Sequence, residues 1–207
     1  MKKTLAIFLA LVAWFAVITQ YVLMMENRIT TILESTIRFF SFFTILTNTL
    51  VAIYFTFISL KKRSITIKLF DYPGCLTAIT VYIFMVGLVY QVVLRKLWNP
   101  AGLQMIIDEL LHTLIPLLVI LYWGFYENKT LLKWRYIPWW LIYPLVYLIY
   151  IMLRGHFSGF YPYPFINLSE LDISKVLTNI LILILIFVVF SVLFTGIGKY
   201  VSNKIKT

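Results

Sequence analysis

Apolar residues run along this chain in six long blocks, about Leu5 to Met24, Phe39 to Leu60, Pro73 to Leu94, Leu103 to Tyr126, Tyr136 to Leu153 and Val176 to Ile197. Each is near the roughly 20 residues that an α-helix needs to cross about 30 Å of hydrocarbon. Lys2 and Lys3 before the first block resemble the start of a secretory signal. The apolar core behind them is as long as a full span, however, and lacks a good small-x-small cleavage pattern, so the block reads as a span. No connection is long enough to separate two domains, and no internal repeat supports an inverted-repeat transporter. The pattern predicts an all-α fold, a single domain over residues 1–207 built as an integral membrane bundle of six transmembrane helices. Its longest loop, Arg154 to Ser174, is rich in Gly, Pro and aromatic residues and reads as a packed cap.

Composition removes the soluble alternatives. The chain is 62% apolar and 13% charged, against about 45–50% and about 25% in an ordinary soluble domain. That much apolar surface cannot be hidden from water by one small core, and disorder needs the opposite balance. The single cysteine excludes an intramolecular disulfide framework.

The formal charge of +10 changes the picture only through where it sits. With the N-terminus inside, Lys2, Lys3, Lys61, Lys62, Arg63, Lys68, Lys129, Lys133, Arg135, Lys199, Lys204 and Lys206 share the inner side with only Asp71 and Glu127. On the outer side, Arg28, Arg38, Arg95, Lys96, Arg154 and Lys175 balance Glu26, Glu34, Asp108, Glu109, Glu170 and Asp172. Lys/Arg-rich loops stay cytoplasmic, so both termini are expected in the cytoplasm. The basic excess is then a topology signal and an attraction to anionic lipid, with no nucleic-acid partner implied.

Polar side chains inside spans are costly and usually face the bundle interior. Here they gather in the outer half: Gln20, Thr44, Asn48, Gln91, Asp108, Glu109, His112 and Asn179. No carboxylate falls at mid-membrane, which counts against a proton pump or ion-coupled transporter. No lysine lies within a span to carry a Schiff base. His112 is in a span and His156 in a loop, a poor pair for haem. The candidate metal ligands Asp71, Asp108, His112 and His156 do not converge, because Asp71 falls on the opposite side. Neither metal nor cofactor is expected.

Asp108 and His112 are four residues apart, which places them on one helix face about 6 Å apart along the axis. An acid there can fix the imidazole tautomer and stabilise imidazolium, the orienting role of a triad's third member. Thr44 and Asn48 are also four apart, on one face of the second span. Thr44 and His112 differ in depth by about one helical turn. A Thr hydroxyl facing an imidazole nitrogen is an activated nucleophile, and amides such as Asn48 and Asn179 can steady an oxyanion. The same residues also fit plainer roles: His112, Asn48 and Asn179 as interhelical hydrogen-bond partners, Thr44 as packing, and Asp108 as an acid near a helix N-terminus. Pro116, one turn after His112, frees a carbonyl and kinks the fourth span.

The segment I-D-E-L-L-H-T-L-I-P, Ile107 to Pro116, resembles the buried-histidine helix of the androgen-induced gene 1 family, which includes bacterial six-span relatives. The run F-F-T-I-L-T-N-T-L, Phe42 to Leu50, resembles that family's second-span threonine motif, and S-G-F-Y-P-Y-P-F, Ser158 to Phe165, its aromatic loop before the last span. The resemblance implies an intramembrane threonine hydrolase of fatty acid esters of hydroxy fatty acids or similar lipid esters. Thr44 would be the nucleophile and His112 its base. Thr47 competes with Thr44, because the spacing to Asn48 does not quite match the family's. Asp108 departs from the pattern, where an amide is more usual, so its orienting role rests on the residues alone.

The expected site is therefore Thr44, His112 and Asp108, with Asn48, Asn179, Arg154 and Tyr163 as substrate or oxyanion contacts. Tyr161, Tyr163 and Phe165 are positioned to cap the chain-entry side, since aromatics favour the interface. The expected partner is a membrane lipid or lipid ester, in a bacterial cytoplasmic membrane. The rival function is a non-enzymatic protein that binds or transports a lipid or amphiphile in the same outer pocket.

Overall fold

The computed structural model describes residues 1–60, 70–97 and 99–206. Lys61, Lys62, Arg63 and Lys68 of the basic set lie outside the described residues. Among those described, the chain is helical and without strands, and six helices are long and apolar enough to cross a membrane: Lys2–Glu26, Phe43–Leu60, Cys75–Leu94, Gly102–Tyr126, Trp134–Ser158 and Ile173–Lys204. The chain forms two compact units, Met1–Leu131 and Leu132–Thr207.

In the first unit, helix α1 (Lys2–Glu26) packs most extensively against α3 (Phe43–Leu60). The reason is a stripe of small residues: Ala6, Ala10, Ala13 and Ala16 are all buried. In lipid there is little hydrophobic drive between helices, and small side chains let backbones approach closely enough for dispersion to hold them. Trp14 adds a hydrogen bond from its indole Nε1 to Thr56 Oγ1 at 3.0 Å.

The apolar pattern predicts the second span as one continuous helix from Phe39 to Leu60. The structure instead has a short helix α2 (Ile32–Phe39), a break, and α3 starting at Phe43. Helix α2 has its own start and register. Thr31 caps it by accepting from the Glu34 amide, and Glu34 pairs with Arg38 one turn on at 2.7 Å. Its mixed polar composition makes it an amphipathic segment rather than part of a span.

Helix α4 (Cys75–Val89) is preceded by Gly74 at φ +83°, a left-handed turn that glycine adopts without strain. It continues into a π-helical turn, Tyr90–Leu94. The fourth span is also interrupted. Helix α5 (Gly102–Glu109) passes into a π-helical turn, Leu110–Leu114, before α6 (Ile115–Tyr126). Isolated π-turns insert a residue into a helix and re-aim side chains, frequently at functional sites. At the far end of α6, Glu127 accepts from Thr77 Oγ1 at 3.1 Å, and Thr77 accepts from Trp123 Nε1 at 2.9 Å.

The second unit contains α7 (Ile137–Trp140), α8 (Ile142–Ser158) and α9 (Ile173–Lys206). Helix α8 runs beyond its expected end at Leu153, so Arg154 and His156 lie in its last turns rather than in a loop. It stops at Gly159, whose φ of +68° forms a left-handed C-terminal cap. Gly155 is fixed by a different constraint: a Cβ there would meet the Tyr161 ring at 2.1 Å. The aromatic segment after α8 folds back on the helix through this contact.

Candidate active site

Pro116 determines the local backbone of the fourth span. Having no N–H, it leaves a carbonyl one turn back without its helical donor. The Ile115 amide reaches back five residues to Leu110 O. A donor at position 116 in the same π register would have reached Leu111 O, and that carbonyl instead accepts from Asn48 Nδ2 on α3 at 3.2 Å. The neighbouring carbonyl, of His112, faces Gly87 on α4: a Cβ at Gly87 would stand 3.0 Å from it. A proline, a glycine and an asparagine from three spans thus accommodate the π-turn that carries His112.

On that turn, His112 Nδ1 lies 2.9 Å from the Asp108 backbone oxygen and 3.3 Å from Asp108 Oδ1. Both neighbours are acceptors, so Nδ1 carries the proton. Nε2 is left with its lone pair, 3.3 Å from Thr44 Oγ1 on α3. In this neutral tautomer the hydroxyl is placed to donate and the ring nitrogen to accept. Asp108 and His112 have side chains only 8% and 11% exposed, and Thr44 is buried. Thr44, His112 and Asp108 therefore come together in the order of hydroxyl, imidazole and carboxylate. Thr47 is buried on the same helix, but the hydroxyl bonded to His112 is that of Thr44.

Thr44 occupies the first turn of α3, where the positive end of the helix dipole favours negative charge. Asn48, one turn along, donates to both Thr44 O at 2.9 Å and Leu111 O at 3.2 Å. Its two N–H groups are engaged by backbone carbonyls. Its Oδ1 is buried with no hydrogen-bond partner among the described residues. The group left open is thus an acceptor, whereas an oxyanion requires a donor.

Tyr90, which sequence reasoning did not single out, completes this cluster. Its hydroxyl donates to Asp108 Oδ2. Its ring stacks on the His112 ring, with centroids 4.1 Å apart and planes within 14°. A more exposed polar network lies beside it. Gln91 donates to Thr113 Oγ1 at 2.8 Å, Thr113 to Glu109 Oε2 at 2.7 Å, and Arg95 to both Gln91 and Glu109. These bonds tie the π-turn of the third span to that of the fourth.

The remaining expected contacts belong to the second unit. Asn179 on α9 donates to Phe165 O at 2.8 Å and anchors the aromatic loop to that helix. Tyr163 is buried, with its ring parallel to that of Phe165 at 5.2 Å. Arg154 reaches Ser158 Oγ at 3.4 Å and sits 5.0 Å from the Phe160 ring centroid. Among the described residues, no group of three or more His, Cys, Asp and Glu side chains converges as a metal site.

Comparison with family models, curated proteins and solved structures returned no match. The arrangement of Thr44, His112, Asp108 and Tyr90 stands on its own geometry, within a chain whose six apolar helices mark an integral membrane protein.

Proposed function

We propose that this chain is an intramembrane hydrolase of lipid esters, with Thr44 as nucleophile and His112 as general base. The observation that carries the reading is the bond between Thr44 Oγ1 and His112 Nε2, in an imidazole whose other nitrogen faces Asp108. The motif resemblance to the androgen-induced gene 1 family points to the same two residues and to fatty acid esters of hydroxy fatty acids or similar substrates.

In the proposed cycle, His112 takes the Thr44 proton as Oγ1 attacks the ester carbonyl. The dipole of α3 favours the charge developing at its first turn. Collapse of the tetrahedral intermediate breaks the ester C–O bond, and the alcohol leaves with the proton from His112. Water, deprotonated by His112, then attacks the acyl-Thr44 ester and releases the fatty acid. Asp108 holds the ring and stabilises its imidazolium form in both halves.

The Lys/Arg asymmetry supports cytoplasmic termini and a site in the outer half of the membrane, and the compact loops suit a bacterial cytoplasmic membrane. A buried site there suits a long-chain ester that never leaves the bilayer. The test is turnover by the purified protein in lipid nanodiscs, against a panel of branched and simple long-chain esters. The reading requires hydrolysis that disappears in Thr44→Ala and His112→Ala and is partly retained in Thr44→Ser. Turnover that survives Thr44→Ala contradicts it. Lipid binding without turnover favours the non-enzymatic reading.

A further inference from the structure

We infer that Tyr90 is the positioning residue of this site, aiming His112 at Thr44 through its hydroxyl and its ring together; the inference rests on the hydrolase reading for its kinetic consequence but not for its structural one. Asp108 has two carboxylate oxygens and two distinct partners. Oδ1 faces His112 Nδ1, and Oδ2 accepts from the Tyr90 hydroxyl. The carboxylate is buried, and a buried carboxylate oxygen without a donor is costly. Without the Tyr90 hydroxyl, Asp108 would turn to find another donor and withdraw Oδ1 from the imidazole.

The ring has a second effect. A nearly parallel stack at 4.1 Å restricts rotation of the imidazole about its Cβ–Cγ bond, the motion that would swing Nε2 away from Thr44. Tyr90 is itself buried and opens the π-turn at the end of the third span, with the Arg95 amide reaching five residues back to the Tyr90 carbonyl. The position of the ring is therefore set by backbone geometry. Two π-turns, one carrying Tyr90 and one carrying His112, face each other across the third and fourth spans.

The test uses the full chain with 15N-labelled histidine in nanodiscs. His156→Gln removes the other histidine, so every imidazole signal belongs to His112. The variants are Tyr90→Phe, which keeps the ring and loses the hydroxyl, and Tyr90→Leu, which loses both. The parent should show one neutral tautomer, protonated at Nδ1, with a low-field Nδ1–H proton from its carboxylate contact. In Tyr90→Phe that proton should move upfield, because only the Asp108 backbone oxygen remains fixed beside it. In Tyr90→Leu the tautomers should mix as the ring gains freedom. Spectra of Tyr90→Phe and Tyr90→Leu identical to the parent overturn the inference. For ester turnover, kcat should fall about 10²-fold in Tyr90→Leu with KM unchanged, the size expected for a catalytic group displaced by about 1 Å. Equal loss through KM alone contradicts a positioning role. If the spectra change but the parent hydrolyses nothing, the hydrolase reading fails and the placement of His112 by Tyr90 stands.

Discussion

A methyl group on Gly87 would stand 3.0 Å from the carbonyl oxygen of His112 and 3.4 Å from Pro116 Cβ. The obstacle is backbone and a rigid ring, neither of which yields as a flexible side chain would. Gly87→Ala should therefore push the third span away from the π-turn that carries His112. Overpacking of this kind costs about 1–3 kcal/mol, partly offset by the better helix propensity of alanine. The expected outcome is a folded protein with a lower thermal midpoint and at least about tenfold slower reaction at Thr44. A variant with unchanged midpoint and unchanged reactivity would show that the contact does not constrain the site.

Asn48 offers a test of what holds the π-turn together. Its amide group bridges Thr44 O and Leu111 O. Asn48→Ala should destabilise by about 1–3 kcal/mol, the cost of leaving buried partners unsatisfied. Asn48→Asp should be worse at neutral pH, because an acceptor-only carboxylate then faces two carbonyl oxygens. Thermal unfolding in detergent at one fixed pH ranks the three proteins, and Asn48→Asp as stable as wild type would contradict the bridging role.

Gly155 tests the second unit separately. The Tyr161 ring fills the space where its side chain would be, 2.1 Å from an ideal Cβ. Gly155→Ala must displace that ring and loosen the loop that Asn179 anchors through Phe165. Limited proteolysis between residues 159 and 172 should accelerate severalfold in Gly155→Ala. Unchanged cleavage would mean that the ring relocates without disturbing the loop.

Glu127 supplies a pH dependence. Burial raises its carboxyl above the usual range, against the opposing pull of its hydrogen bond from Thr77 and the charge of Lys129. The folded state therefore holds this proton more tightly than the unfolded chain does. Its contribution to stability is fully present below the unfolded value of about 4.3 and is lost as pH rises through the raised one. Glu127→Gln keeps an acceptor for Thr77 and removes the charge. Its unfolding midpoint should exceed that of wild type at neutral pH, and the two should converge toward pH 4. A Glu127→Gln midpoint below wild type at neutral pH would show that the ionised form is the stabilising one.

The six spans were legible because a membrane demands long apolar runs and little else resembles them. The facing of Asp108 and His112 was legible from their spacing of four residues, and the approach of Thr44 to His112 only to within about one helical turn of depth. The break before Phe43 was not, since Phe39 to Phe42 are as apolar as the span they precede apart from Ser41. Tyr90 was hidden for a different reason. It is one of 14 tyrosines, and its partner Asp108 lies on the next span at a spacing that no periodicity marks. The two π-turns left only one trace, Pro116. That residue announced a freed carbonyl, but not that Asn48 would satisfy it or that Gly87 would make room beside it.

The proposed mechanism depends above all on activation of the Thr44 hydroxyl by His112. The most direct measurement is labelling of purified wild type, Thr44→Ala, Thr47→Ala and His112→Ala proteins with a lipophilic fluorophosphonate, followed by mass mapping of the modified peptide. A Thr44 activated by His112 should carry a phosphonyl adduct, formed with loss of fluoride, present in Thr47→Ala and absent in His112→Ala. No adduct on folded wild-type protein, or an adduct on Thr44 that persists without His112, would contradict it.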